Sequence, residues 1–391
     1  MRYFFTTIPG SSHMLPLVPL AHAALAAGHE VLVATSGSAL PTAVSAGLHT
    51  VAVNDGESAR PYEEMVRKVA ETSIGTDLPD AELVAYFASV FGEVGTLMAD
   101  GLVETARIWG ADAVVYPAPH VAGLLTARAM GIPAVLHGLG TRRPTFGPAL
   151  AHLAPVAQRM NVAELREADV ELDLSPPSLE TIHQDSPHPN KNESTLPMRY
   201  APYNGGAQLP DWLLRRGDRR RVAVTLGSLP AIYGDGVLLR EIVEGTANMD
   251  IELVLTAGGS ELHSLPAPLP DHVRLVDWMP MRALLPTCDA IIHHGGMGTM
   301  YAAFDAGVPQ LAIPVTGTDS VANAKVAVAR GVGQMLDMSQ TTASTVSAAL
   351  HDLLGEPAYV QASQEVATEM RAMPTPGTVI AQLTNLLGGR A

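Results

Sequence analysis

Residues 2–35 read RYFFTTIPGSSHMLPLVPLAHAALAAGHEVLVAT, and this stretch decides the fold class. Its opening, residues 2–8, is short and rich in aromatic and β-branched side chains, which predicts a strand. A Gly/Ser/Pro loop follows from Pro9 to Ser12. An apolar run from Met14 to Ala27 predicts a helix, which Gly28 stops, and residues 30–35 predict the next strand. Strand, turn, helix and strand in about 35 residues is a βαβ unit of a parallel sheet.

The unit recurs. Residues 113–116 predict a strand, 121–130 a helix closed by Gly131, and 133–137 a strand. Residues 56–107 predict helix and carry Met65, Phe87, Phe91 and Met98. From Gly138 to Gln208 the character changes, most visibly in SPPSLETIHQDSPHPNKNESTLP (175–197). Dense proline and polar residues there predict surface loops and a linker. A second series begins near Arg221, with strands expected at 222–226, 251–256, 273–276, 290–293 and 310–313. Helices are expected at about 342–354, 357–372 and 377–387. The fold class expected is α/β, with two doubly wound, Rossmann-like parallel sheets. Ligands of such sheets sit at the carboxyl ends of the strands, so a cleft between the halves is the expected site.

Composition narrows the function. Of 391 residues, 47% are hydrophobic and 16% charged, which excludes a largely disordered chain. Lys+Arg total 24 against 39 Asp+Glu, a formal charge of −15. So acidic a chain is a poor partner for nucleic acid or an anionic membrane. Cys288 is the single cysteine, so no intrachain disulfide forms. The apolar N-terminal run breaks at Pro9-Gly10, and no uninterrupted apolar run reaches the ~18 residues of a spanning helix. The chain reads as soluble and cytoplasmic.

The chemistry is concentrated in residues 276–333, VDWMPMRALLPTCDAIIHHGGMGTMYAAFDAGVPQLAIPVTGTDSVANAKVAVARGVG. A strand ends at His293-His294, Gly295-Gly296 turns the chain, and Met297-Gly298-Thr299 opens a helix. Amide groups at a helix start lack partners and carry the positive dipole end, and glycines admit a ligand to the backbone. With the Thr299 hydroxyl and His294 they form a phosphate cradle; the bland alternative is a tight strand-to-helix turn. His294 would offer a hydrogen bond or a charge. A metal is disfavoured, because adjacent side chains in extended backbone point to opposite faces. Trp278 either stacks on a nucleobase or fills core. Asp319 either caps a helix beginning near Val321 or accepts bonds from sugar hydroxyls.

The motifs WMP, HHGGMGT, AGVPQLAIP and TDSVANA, in this order, together with SSHMLPLVPLAHAALAAGHEVLVAT, resemble antibiotic natural-product glycosyltransferases of the GT-B fold. These include enzymes that glycosylate macrolides, enediynes and spinosyns, and the resemblance covers nearly the whole chain. It implies an acceptor-binding domain over residues 1–205, a nucleotide-sugar donor domain over 206–375, and a C-terminal helix, 376–391, crossing back to the first domain. Trp278 would then stack on the donor base. His294, Gly296, Gly298 and Thr299 would hold the pyrophosphate with Ser228 nearby, and Asp319 and Ser320 would face the sugar. His13 would be the general base on the acceptor hydroxyl, a role that its ordinary pKa of about 6.5 suits. By itself it would read as a solvent-facing loop histidine.

Three departures bear on substrate. Where relatives carry an Asp that orients the base, this chain has Pro117, so His13 acts alone or finds another partner; His120 is near in sequence. A ribose-binding Glu is replaced at Ala302 or Ala303. A sugar-binding Gln is replaced by Ser320, which suits a TDP-deoxysugar such as rhamnose better than glucose. The implied reaction is inverting, with no cofactor and no metal. The implied partners are a TDP-deoxysugar and an apolar small-molecule acceptor of polyketide or macrolide type, with a homodimer open. Met14, Phe87, Phe91, Phe146 and Met160 would line the acceptor site or belong to core. Two other readings are a non-catalytic partner protein and a nucleotide-sugar epimerase on the same fold. A dinucleotide-dependent oxidoreductase fails, because the first turn is Pro-Gly-Ser-Ser-His and not G-x-G-x-x-G.

Overall fold

The computed structural model describes residues 1–72, 80–143, 145–180, 182, 194–215, 217–227, 236–256, 265, 268–314 and 318–388. Two all-parallel sheets organise them. The first contains β1 (Arg2–Thr6), β2 (Glu30–Thr35), β3 (Thr50–Ala52), β4 (Ala113–Pro117), β5 (Ala134–His137), β6 (Val170–Asp173) and β7 (Thr195–Pro197), in the order 3-2-1-4-5-6-7. The second contains β8 (Arg220–Thr225), β9 (Ile251–Thr256), β10 (Val273–Val276), β11 (Ala290–His293), β12 (Gln310–Ala312) and β13 (Gly333–Met335), in the order 10-9-8-11-12-13. In each sheet the order reverses beside the first strand: β1 pairs with both β2 and β4, and β8 with both β9 and β11. These are the two switch points at which ligands bind.

The strands are apolar on both faces because both faces are covered. Tyr3, Phe5, Val33 and Val115 belong to one core, and Phe4, Ala34, Val114 and Tyr116 to another on the opposite face. In the second sheet Val222, Val224 and Leu253 face one core, and Ala223, Val254 and Ile291 the other.

Several elements differ from expectation. The run Met14–Ala27 divides into a helical turn (Ser11–Met14), a 3₁₀ turn (Leu15–Leu17) and a helix (Val18–Ala26). Pro16 and Pro19 stand in the first turns of the latter two, where proline needs no amide partner. Residues 138–208 are not all linker, since β6 and β7 add two strands to the first sheet. β3, β7 and β13 are three residues each, too short to show a period of two. The helix Asp80–Trp109 is long, and over Ala81–Trp109 it is apolar enough to cross a membrane by length and composition. Here it covers the first sheet, with Val94, Met98, Leu102 and Ala106 fully buried.

One core runs between the sheets. Tyr3, Phe5 and Leu17 pack in the same cluster as Met300, Tyr301, Phe304, Val366 and Ile380. The helix Pro376–Gly388 contributes Val379, Ile380 and Leu383 to it. Thr384 Oγ1 of that helix lies 3.1 Å from Tyr3 Oη and 3.0 Å from His29 Nε2. At the carboxyl ends, the loop after β5 meets the helix Met297–Ala306: Tyr301 donates to Thr141 Oγ1 at 3.4 Å, and the Thr141 amide points to Met297 Sδ at 3.4 Å. The carboxyl ends of both sheets therefore open on one cleft.

Candidate active site

The expected donor side lies at the end of β11, where the two histidines diverge with ring planes 89° apart. His293 is fully buried. Its Nδ1 accepts the Gly295 amide at 3.0 Å, and its Nε2 lies 2.9 Å from Gln310 Oε1. This network assigns the neutral Nε2–H tautomer. Burial first, then His294, pushes its pKa down to about 3. Gly295 has φ 81°, and a side chain there would meet the Ser320 carbonyl at 2.5 Å. Asn323, buried, donates to the Gly295 carbonyl at 2.9 Å. The turn is thus tied to β12 and to the helix Thr318–Ala329. No side chain among the described residues caps Gly296, and the first helical bond runs from the Met300 amide to the Gly296 carbonyl at 3.0 Å. Helix geometry leaves the amides of Met297, Gly298 and Thr299 without intrahelical partners. Gly298 is exposed and Thr299 half-buried.

His294 packs between two glycines. A side chain at Gly227 would lie 2.6 Å from its Cε1, and one at Gly296 would collide with its Nε2. Burial drives its pKa down to about 4, against a hydrogen bond to the Thr225 backbone. Of the two possibilities, hydrogen bond or charge, the ring is neutral at pH 7 and offers a hydrogen bond.

Trp278 follows β10 and is 44% exposed. Its indole Nε1 donates to the Asn204 carbonyl at 3.0 Å, so the ring is not core filler. Ser228 lies outside the described residues, as does the side chain of Asp319. The helix Thr318–Ala329 begins before Asp319, which therefore stands in its first turn and does not cap it. Ser320 supplies the carbonyl against Gly295. Ala302 and Ala303 are buried core and give no ribose contact.

On the expected acceptor side, His13 sits in the helical turn after β1, not in a loop, with its amide bonded to the Gly10 carbonyl at 3.0 Å. Tyr62 meets its ring edge-on, with centroids 6.1 Å apart. Tyr62 also bonds Ser12, and it fills the space a side chain at Gly10 would occupy. Pro117 ends β4. Beyond it, His120 is fully buried, with Nε2 2.8 Å from Thr6 Oγ1. Burial, then the nearby His13, takes its pKa down to about 3. The structure thus gathers Tyr62 and His120 about His13, two neighbours from distant segments, with Thr6 bonded to His120. Sequence offered a hint only for His120. It gave none for Asn204, whose Asn-Gly dipeptide reads as a turn.

Of the apolar candidates, Met14 is fully buried core and lines nothing. Phe87, Phe91 and Phe146 are partly exposed and form a ladder. Phe87 stacks on Phe91 at 6.0 Å and 15°, and Phe91 meets Phe146 edge-on at 6.0 Å. The Phe146 amide donates to the Ala118 carbonyl at 2.9 Å, which fixes that end of the ladder beside the end of β4. Met160 packs at the margin of the neighbouring core.

Comparison with known proteins identifies the family. Residues 22–227 match the family "Erythromycin biosynthesis protein CIII-like, N-terminal domain", and residues 240–386 match its C-terminal domain. The elloramycin glycosyltransferase ElmGT of Streptomyces olivaceus is 36% identical, over 99% of this chain and 98% of that protein. The glycosyltransferase SnogD of Streptomyces nogalater superposes with a TM-score of 0.85 at 38% identity, covering 99% of each chain. The spinosyn rhamnosyltransferase SpnG complexed with thymidine diphosphate gives 0.81 at 26% identity, covering 98% of this chain and all of that one. With its two parallel-sheet α/β domains, this chain belongs to the erythromycin biosynthesis protein CIII-like family of antibiotic glycosyltransferases, enzymes of the GT-B fold.

Proposed function

We propose that the chain is an inverting, metal-independent transferase that moves a deoxysugar, such as rhamnose, from a TDP-sugar to a hydroxyl of an apolar polyketide in the cytoplasm. The observation that carries this reading is the helix start at Gly296–Thr299, whose first amides have no intrahelical partner, with neutral His294 packed between Gly227 and Gly296 beside it. That SpnG was solved with thymidine diphosphate supports TDP as the leaving group. His13 takes the proton of the acceptor hydroxyl as its oxygen attacks the anomeric carbon. The bond from that carbon to the phosphate oxygen breaks, and its electron pair leaves on TDP. The growing charge is met by the helix amides and by the imidazole N–H, dipoles already in place. Trp278 offers its face to the base, and Asp319 and Ser320 stand at the sugar. The Phe87–Phe91–Phe146 ladder suits a flat acceptor.

The test is calorimetric titration with TDP, UDP and NAD, followed by an acceptor screen with TDP-rhamnose read by mass spectrometry. TDP is expected to bind, and glycoside is expected to form in the presence of EDTA. Binding of NAD without TDP would overturn the reading, and TDP binding with no transfer to any acceptor would favour the non-catalytic partner.

A further inference from the structure

Trp278 stands exposed between β10 and a short helix, while its neighbours Met279 and Met281 are buried in core. The short helix that follows, Met281–Leu284, begins after Pro280, and no side chain caps it from that position. An exposed indole there would sample several rotamers, and ordering it would weaken whatever stacks on it.

One residue from outside removes that freedom. Asn204 accepts the Trp278 indole N–H on its main-chain oxygen at 3.0 Å. Its Oδ1 accepts the Met281 amide at 3.0 Å, and its Nδ2 donates to the Met279 carbonyl at 3.3 Å. All three bonds go to the four residues Trp278–Met281. The Oδ1 contact supplies a cap that the short helix lacks. The indole is tied by its N–H edge, so its exposed area remains for a ligand.

Asn204 is itself anchored. The segment leading to it leaves the first sheet through the Met198 amide bond to the Asp173 carbonyl (2.8 Å). It crosses the phosphate-cradle helix through Arg199 on Asp305 (3.0 Å) and Tyr200 on Tyr301 (5.2 Å between centroids). Tyr203 then packs edge-on against His22, on the helix that follows the His13 turn.

We infer that Asn204 is a positioning residue for the donor: it fixes Trp278 as a preformed base platform and ties that platform to the interdomain strap 198–204. The inference rests on the reading of Trp278 as the base-stacking residue.

The experiment is a double-mutant cycle in the full chain, with TDP as probe. Asn204→Ala is expected to weaken TDP by about 2–10-fold, the cost of ordering a freed side chain on binding. Donor KM should rise in step, with kcat at saturating donor unchanged. The fluorescence of Trp278, taken as the difference from Trp278→Phe, should become more accessible to acrylamide. Asn204→Asp keeps the acceptor for Met281 and should recover part of the affinity; it also serves if the Ala variant folds poorly. Because Asn204 acts through Trp278, adding Asn204→Ala to Trp278→Ala should cost nothing further. Wild-type TDP affinity in Asn204→Ala, or a full additive loss in the double variant, would overturn the inference. Wild-type affinity in Trp278→Ala would instead remove the base-stacking reading on which it rests.

Discussion

The two sides of the cleft are made of different materials. The proposed donor corner is backbone: amides at a helix start, two glycines against His294, and a carbonyl closing on Gly295. The proposed acceptor side is side chains: His13 with Tyr62 and His120, and a ladder of three phenylalanines. A site of glycines tolerates no added atom, and so it leaves a motif. A site of side chains can be rebuilt from many residues. The donor half of the chemistry is accordingly the half that one sequence displays.

Four measurements would break or sharpen this contrast. His13→Ala should lower transfer by about 10²–10⁴, the range of a general base, and leave TDP affinity alone. Unchanged turnover would remove His13 from the mechanism. Gly296→Ala should do the reverse. Its methyl group would collide with His294, and the ~1–3 kcal/mol cost of overpacking predicts TDP binding weaker by about 10–100-fold. Titration calorimetry would read it, and an intact affinity would mean the corner can yield.

Phe87→Ala should raise acceptor KM by about 2–10-fold, the worth of one aromatic contact, with TDP affinity untouched. A loss of folding without a KM effect would return the ladder to core. A further effect, on stability, is shared by both sides. His120 and His137 on one and His293 and His294 on the other are held neutral by burial, with pKa values of about 3, 4, 3 and 4. Unfolded histidine titrates near 6.5. Between those values the unfolded chain binds more protons than the native one, so stability is full above about pH 6.5 and declines as pH falls toward 4. Calorimetry should show the melting temperature falling from pH 7 to pH 5; a flat profile would mean that these rings are wetter than their packing indicates.

The sheets were legible because parallel strands are apolar on both faces. Residues 251–256, 273–276 and 290–293 lie where their composition puts them. β3 and β13 were not, since three residues carry no period. β6 was hidden among acidic residues, Glu164 to Asp173, although Val170 and Leu172 alternate inward. HHGGMGT announced a turn and a helix start, but nothing local told the two histidines apart. Gln310, 17 positions downstream of His293, makes that one structural. The neighbours of His13 and the brace on Trp278 arise from contacts 49 to 107 positions apart, beyond the reach of any local pattern.

The last helix, Pro376–Gly388, has a practical consequence for engineering. It packs against the first sheet's layer, with Thr384 beside Tyr3 and His29. A hybrid enzyme spliced once, between the halves, would import a foreign lid for the half it meant to keep. Recombination with a related transferase should use two crossovers, one near Gln208 and one just ahead of Pro376. The native helix then stays with the partner it was shaped to fit.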